Sequence, residues 1–263
     1  LGLSILVGVV SPYYRINFMT YCLAIALQEG LVFCSDSRTN AGADRVSTYS
    51  KMHRFEHAGD RQLVLLTAGN LATSQAVVAQ MQRDAENGVE GNYTQAAYVS
   101  EVADYVGKLC LAEQSKYANG GPNAGFNAEA TFILGGQIGN HAPELYLIYP
   151  EGNHITVSGE HPFLQIGETK YGKPILDRII RSETEPHTAM RCALVSVDST
   201  MRSNATVGPP IECGFYRKDS LEPLSSYVKL EENHPYLVRL RKSWDESLIN
   251  AFSGLPSLAE VFE

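Results

Sequence analysis

The 263-residue chain carries 21 Lys+Arg against 29 Asp+Glu, a net charge of −8 and a pI near 5.4, which leaves no basic footprint for DNA or RNA. Hydrophobic residues make up 44% and charged residues 19%, a mix that supplies a real core and does not suit a disordered chain. Five widely spaced cysteines, with no C-x-x-C pair among them, read as buried thiols of a reducing compartment and argue against a disulfide framework or a zinc site.

The first ten residues, Leu1 to Val10, are apolar or small. Ten residues are too few to span a bilayer, and neither a charged n-region nor an A-x-A-like cleavage site accompanies them. No membrane partner and no secretion are expected, so the sequons at Asn92 and Asn204 are expected to carry no glycan. From Tyr21 to Leu27 and from Leu31 to Cys34 two continuous apolar runs flank a Gln28-Glu-Gly30 turn. They predict two strands in a sheet covered on both faces. Met52–His57 and Gln62–Ala68, joined by a Gly-Asp turn, repeat the scheme.

Helical periodicity then predicts a helix over Ala72–Asn87, stopped by Gly88, and a longer one over Thr94–Tyr117, where Val99, Val102, Val106 and Leu109 form one stripe. After a Gly/Asn-rich loop at 119–125 come strands at Ala130–Leu134, Leu145–Tyr149, His154–Val157 and Phe163–Ile166. Helices follow near Tyr171–Arg181 and His187–Ser203, then strands at Ile211–Tyr216, Tyr227–Leu230 and Tyr236–Leu240. The Ser243-Trp-Asp-Glu246 capping box predicts a short last helix. Strands in blocks, separated by pairs of helices, predict an α+β fold with two packed antiparallel sheets and helices outside.

Three local motifs are weighed and set aside. His53 and His57 lie in a predicted strand and lack the order of a zincin helix, so no metal site is expected. Gly167 to Lys173 follows the phosphate-loop pattern until Pro174, which has neither the hydroxyl nor the backbone N–H that position needs. Gly135-Gly-Gln-Ile-Gly139 reads as a strand end and not a dinucleotide site.

More informative is Thr20, which stands directly before the first strand, with Asp36 at the end of the second and Lys51 at the head of the third. If Met19 is removed, the Thr20 α-amine, of reference pKa about 7.7–8.0, can accept the proton of its own hydroxyl. The β-branch of threonine holds Oγ in one direction. An ammonium at Lys51 would stabilise the developing alkoxide, Asp36 would anchor that ammonium, and Gly69 lets a backbone N–H approach an oxyanion.

The run from Met19 to Gly42, with Lys51 before His53-Arg54 and with Ala68-Gly69, resembles the catalytic β-subunit of proteasomes, an N-terminal-nucleophile (Ntn) hydrolase. Within that family it is most similar to the bacterial branch called Anbu, the ancestral β-subunit. The resemblance covers roughly Thr20 to Tyr216. It implies a four-layer αββα sandwich in a single domain over 20–263, with residues 1–19 an extension absent from the mature protein. It also implies Thr20 as nucleophile, Asp36 and Lys51 as its charged partners, and Gly69 with Asn40 as the backbone that holds oxyanion and substrate. Glu168, in a Gly167-Glu168-Thr169 segment where relatives carry Gly-Ser-Gly, and Asp198 with Ser199 stand at more distant positions around the site. An acid at 168 would alter the pKa of the amine.

The activity implied is a threonine-type endopeptidase or amide hydrolase of the cytoplasm that needs no metal or other cofactor. Its substrates would be peptides or unfolded proteins, and it would self-assemble into a ring-like or open helical homo-oligomer. There is room for an ATPase or a modifying enzyme as a further partner. Two alternatives stand beside this reading: an amidase or isopeptidase acting on a non-standard amide, and a catalytically silent subunit whose role is the assembly itself.

Overall fold

The computed structural model describes residues 20–40, 46–117 and 127–262. Residues 1–19, the Ala41-Gly42 pair and the Gly/Asn-rich loop lie outside them. In chain order the strands are β1 (Tyr21–Leu27), β2 (Gly30–Ser35), β3 (Arg38–Asn40), β4 (Val46–Thr48), β5 (Met52–His57) and β6 (Arg61–Gly69), then β7 (Ala130–Ile138), β8 (Glu144–Ile148), β9 (His154–Thr156), β10 (Phe163–Gly167), β11 (Ile211–Arg217) and β12 (Ser226–Leu230). The helices are α1 (Leu71–Glu86), α2 (Val99–Ser115), α3 (Lys173–Ile179), α4 (Pro186–Ser203) and α5 (Pro235–Ser253). One five-stranded antiparallel sheet has the order β10-β1-β2-β11-β12 and the other β5-β6-β7-β8-β9, while β3 and β4 form a small hairpin.

The unbroken apolar runs are explained by the layers. Side chains alternate across a strand, so Tyr21, Leu23 and Ile25 of β1 enter a core with α3, α4 and Leu237 of α5, while Cys22 and Ala24 enter the space between the sheets. The second sheet does the same: Leu63 and Leu65 meet Val77, Met81, Val102 and Val106 of α1 and α2, and Val64 and Leu66 face the other sheet. The result is an α+β fold, a four-layer αββα sandwich.

Several boundaries differ from expectation. The strand expected at Tyr236–Leu240 and the short helix after it are one helix, α5. Tyr236, Val238 and Leu240 alternate along the chain, yet the buried residue is Leu237, whose burial contributes about 1.5–3 kcal/mol. The helix starts where Pro235 supplies a preset φ at the first turn and His234 Nδ1 accepts the Tyr236 N–H at 3.2 Å, so Ser243 is mid-helix and caps nothing. α2 begins at Val99 and not at Thr94, because Asn92 folds the preceding residues into a turn. Its Oδ1 accepts the Thr94 N–H (2.7 Å) and its Nδ2 donates to the Val89 carbonyl (2.7 Å). Asn92 is fully buried, which agrees with a sequon that carries no sugar. β7 runs on through Gly135-Gly136 to Ile138, and a Cβ on Gly135 would stand 2.7 Å from the Phe33 ring, so this glycine lets the two sheets close. Pro174 opens α3, and the adjacent Lys173 pairs with Asp177 at 2.7 Å.

All five cysteines are buried free thiols. Burial raises the pKa of Cys22, Cys34 and Cys110, and pushes Cys192 up to about 12. Native protein is therefore expected to give no fast reaction with a disulfide reagent at pH 8, and five equivalents once unfolded. The same groups link stability to pH. Their folded pKa values lie above the unfolded value of about 8.5, so their contribution is complete below that pH and is lost as pH rises, by about 1.4 kcal/mol per thiol and pH unit while only the unfolded form ionises. Urea titrations at pH 7.5 and pH 10 measure it, and equal stabilities would refute the link.

Candidate active site

Thr20 stands at the entrance of β1, with only 6% of its surface exposed. Its carbonyl accepts the Glu168 N–H at 2.7 Å, which carries the β1–β10 pairing one step beyond the Tyr21 and Gly167 partners. This approach needs a glycine. Gly167 has φ +82, and a Cβ there would fall 1.8 Å from the Thr20 oxygen. Gly59 has a similar φ of +75 but open space around it. Gly59→Ala is expected to lose only the backbone strain, about 1 kcal/mol, whereas Gly167→Ala adds a clash with the Thr20 carbonyl and loses several times more. Urea unfolding of the two variants compares them, and equal losses would show that the β10 turn can relax.

Asp36 directly follows β2 and is fully buried. One carboxylate oxygen, Oδ1, accepts both the Tyr21 N–H (3.1 Å) and the Lys51 ammonium (2.6 Å), so the residue after Thr20 and the lysine share a single acceptor. The other, Oδ2, accepts from the N–H groups of Gly208 (3.0 Å) and Arg38 (3.2 Å). Burial raises the Asp36 pKa, and Lys51 together with the Gly208 and Tyr21 donors opposes the rise. Lys51, 4% exposed, also donates to the Arg38 carbonyl at 2.7 Å, which occupies two of its three N–H bonds.

The second sheet closes the site from the far side. Cys22 Sγ donates to the Thr67 carbonyl (3.6 Å) and the Thr67 N–H donates to the Lys51 carbonyl (3.0 Å), which ties the start of β1 and Lys51 to the end of β6. Two residues on, Gly69 has φ +95, and a Cβ there would meet the Glu129 carbonyl at 2.5 Å, so only glycine turns the main chain here. Asn70 then caps α1, its Oδ1 accepting the Thr73 N–H at 3.1 Å. Asn40 ends β3, paired with Val46 in the small hairpin.

Glu168 is buried, and its carboxylate accepts from Asn204 Nδ2 at 3.3 Å and lies 3.6 Å from the Lys170 ammonium. Asp198 is also buried, but it serves a different partner: Arg241 of α5 grips its Oδ1 through Nε (2.8 Å) and Nη2 (2.7 Å). Ser199 follows it on α4, half-buried. The fold thus joins Thr20 to Glu168 through the main chain and Lys51 to the next residue, Tyr21, through Asp36, and it commits Asp198 to holding α5. Sequence reasoning missed Gly208 and read Asn204 only as a sequon. Each lies in the turn after α4, more than thirty positions from the residue it contacts. His53 and His57 lie on β5, and among the described residues no group of three or more ligating side chains could hold a metal. No described helix is long and apolar enough to cross a membrane.

The proteasome subunit family matches residues 19–215. Among solved structures, Anbu from Yersinia bercovieri is 41% identical with a TM-score of 0.85, over 91% of this chain and 99% of that one. The helical assembly of the Anbu complex from Pseudomonas aeruginosa contributes a chain 41% identical with a TM-score of 0.85, over 90% and 98%. Anbu from Hyphomicrobium sp. strain MC1 is 37% identical with a TM-score of 0.83, over 91% and 99%. None of the curated proteins matches the chain. With the family matched over most of its length and these relatives aligned over nearly all of theirs, the chain belongs to the proteasome subunit family and has the fold of a proteasome-like hydrolase.

Proposed function

We propose that the protein is a threonine hydrolase of amide bonds whose working form begins at Thr20. The observation that carries this reading is the shared acceptor, Asp36 Oδ1, which holds the Lys51 ammonium beside the entrance of β1. In the proposed cycle the neutral α-amine takes the proton from Thr20 Oγ as Oγ attacks the substrate carbonyl. The third N–H of Lys51 stabilises the forming alkoxide, and the Gly69 N–H holds the oxyanion of the tetrahedral intermediate, with Asn40 aligning substrate backbone. The α-ammonium then protonates the leaving amine as the C–N bond breaks, which leaves an ester on Oγ. Water, giving its proton to the amine, releases the acid and restores the hydroxyl.

No cofactor enters this cycle. The substrates that fit it are peptides or unfolded chains, processed in the cytoplasm by a self-assembled oligomer such as the helical assembly of the Pseudomonas aeruginosa relative. An ATPase or modifying enzyme that delivers substrate would complete it. Intact mass and N-terminal sequencing are expected to show Thr20 first, and an electrophile directed at N-terminal threonine is expected to form one adduct, mapped to Thr20. A terminus retained upstream, or a free Thr20 with no adduct, would overturn the reading; the second outcome favours a silent assembly subunit.

A further inference from the structure

We propose that the cavity at the start of β10 binds a short zwitterion, an α-amino acid or a dipeptide, with its carboxylate on Arg181 and its ammonium on Glu160. The cavity measures about 430 Å³, within the roughly 300–1,000 Å³ of small-molecule sites, and lies at the end of β10 remote from Gly167. Two turns build it, and both are fastened to the end of β1. The Pro162 carbonyl accepts the Ala26 N–H at 2.7 Å, and the Ser182 carbonyl accepts the Gln28 N–H at 2.8 Å. Phe163 and Ile180, both buried, supply its apolar lining.

The free charges on its walls are held apart. Glu183 is engaged, its Oε1 accepting from Ser182 Oγ (2.7 Å) and Gln28 Nε2 (3.3 Å), and Asp177 pairs with Lys173 at 2.7 Å. Arg181 directs Nη1 to the carbonyls of Asp177 (3.1 Å) and Ile180 (2.6 Å), which leaves Nε and Nη2. Among the described residues no carboxylate comes within ion-pair distance of it, and Glu160 has neither an ion pair nor a side-chain hydrogen bond. A guanidinium fork matches a carboxylate, and a free carboxylate accepts from an ammonium, so a molecule that carries both ends can bridge two charges that do not reach each other. At about 30 Å³ for each water-sized group the cavity holds about fourteen, the size of a dipeptide. The inference does not rest on the chemistry proposed for Thr20, although short peptides are what such chemistry would release.

The test is a ligand-observed NMR titration of the full chain with the dipeptide Ala-Leu and with free leucine. It is repeated with acetyl-Ala-Leu, which lacks the ammonium, and with Ala-Leu-amide, which lacks the carboxylate. Ala-Leu is expected to bind with a Kd of about 1 mM, and each capped form at least about tenfold more weakly. Glu160→Gln and Arg181→Gln are expected to weaken Ala-Leu by the same factor. Arg181→Lys, which keeps the charge without the fork, should fall between parent and Arg181→Gln. Thr20→Ala should bind as the parent does, because the cavity lies at the other end of β10. Tighter binding of leucine than of Ala-Leu, with the same response to both variants, would support the site and name an amino acid as its occupant. No saturable binding, equal binding of the capped forms, or unchanged binding in both glutamine variants overturns the proposal. Loss of binding in Thr20→Ala would place the peptide at Thr20 and overturn it as well.

Discussion

Thr20→Ala is expected to abolish adduct formation and to reduce amide hydrolysis by at least about 10³-fold while the fold and its stability stay intact. The size follows from the proposed role. In the proposed cycle Thr20 supplies the attacking oxygen, and alanine would leave the α-amine, Lys51 and the Gly69 N–H in place with nothing to act on, so no neighbouring group substitutes for it. Stability should change little, since Thr20 is held by its backbone: its carbonyl accepts the Glu168 N–H and the next residue's N–H reaches Asp36. Thr20→Ser, which keeps the oxygen but loses the β-branch that fixes χ1, is expected to retain measurable activity. Turnover of a peptide amide by the three forms, with thermal unfolding beside it, tests the assignment. Equal turnover by Thr20→Ala and the parent would move the chemistry elsewhere.

Asp36→Ala is expected to be the most destabilising single change at the site, by about 3–5 kcal/mol, and to abolish acylation of Thr20. The Asp36 carboxylate is fully buried and accepts from one ammonium and three backbone N–H groups. Deleting it strands the Lys51 charge in the interior and leaves the Tyr21, Arg38 and Gly208 donors without their acceptor. The double variant Asp36→Ala/Lys51→Met removes the stranded charge along with the carboxylate. It should recover part of the lost stability without recovering acylation. Chemical denaturation of the single and double variants measures the coupling between the two residues. If the double variant is no more stable than Asp36→Ala, burial of the Lys51 charge is not the main cost.

The two expectations separate the jobs of neighbouring residues. Thr20 is asked for chemistry and adds little to folding. In the proposed cycle Asp36 does both: its Oδ1 holds the lysine and fastens the first strand, and its Oδ2 fastens Gly208, in a turn 172 positions away in the chain.

The amino-acid sequence by itself determined what rests on local pattern and on residue chemistry. Unbroken apolar runs meant strands covered on both faces. Stripes at three and four meant helices, and the block order meant stacked antiparallel sheets. The pairing of Asp36 with Lys51 was legible because a carboxylate and an ammonium sat at the ends of neighbouring runs. Over Tyr236–Leu240 the strand expected from the sequence was wrong, because Leu237 packs into the core with α4 and the segment is part of a helix. The partners of charges were likewise a matter of tertiary structure. Asp198 and Glu168 are both buried carboxylates, yet the first meets Arg241 of α5 and the second meets Asn204 and the exposed Lys170 ammonium. No spacing in the chain encodes that difference, because it depends on which elements pack together and on a ladder register that brings residue 168 opposite residue 20.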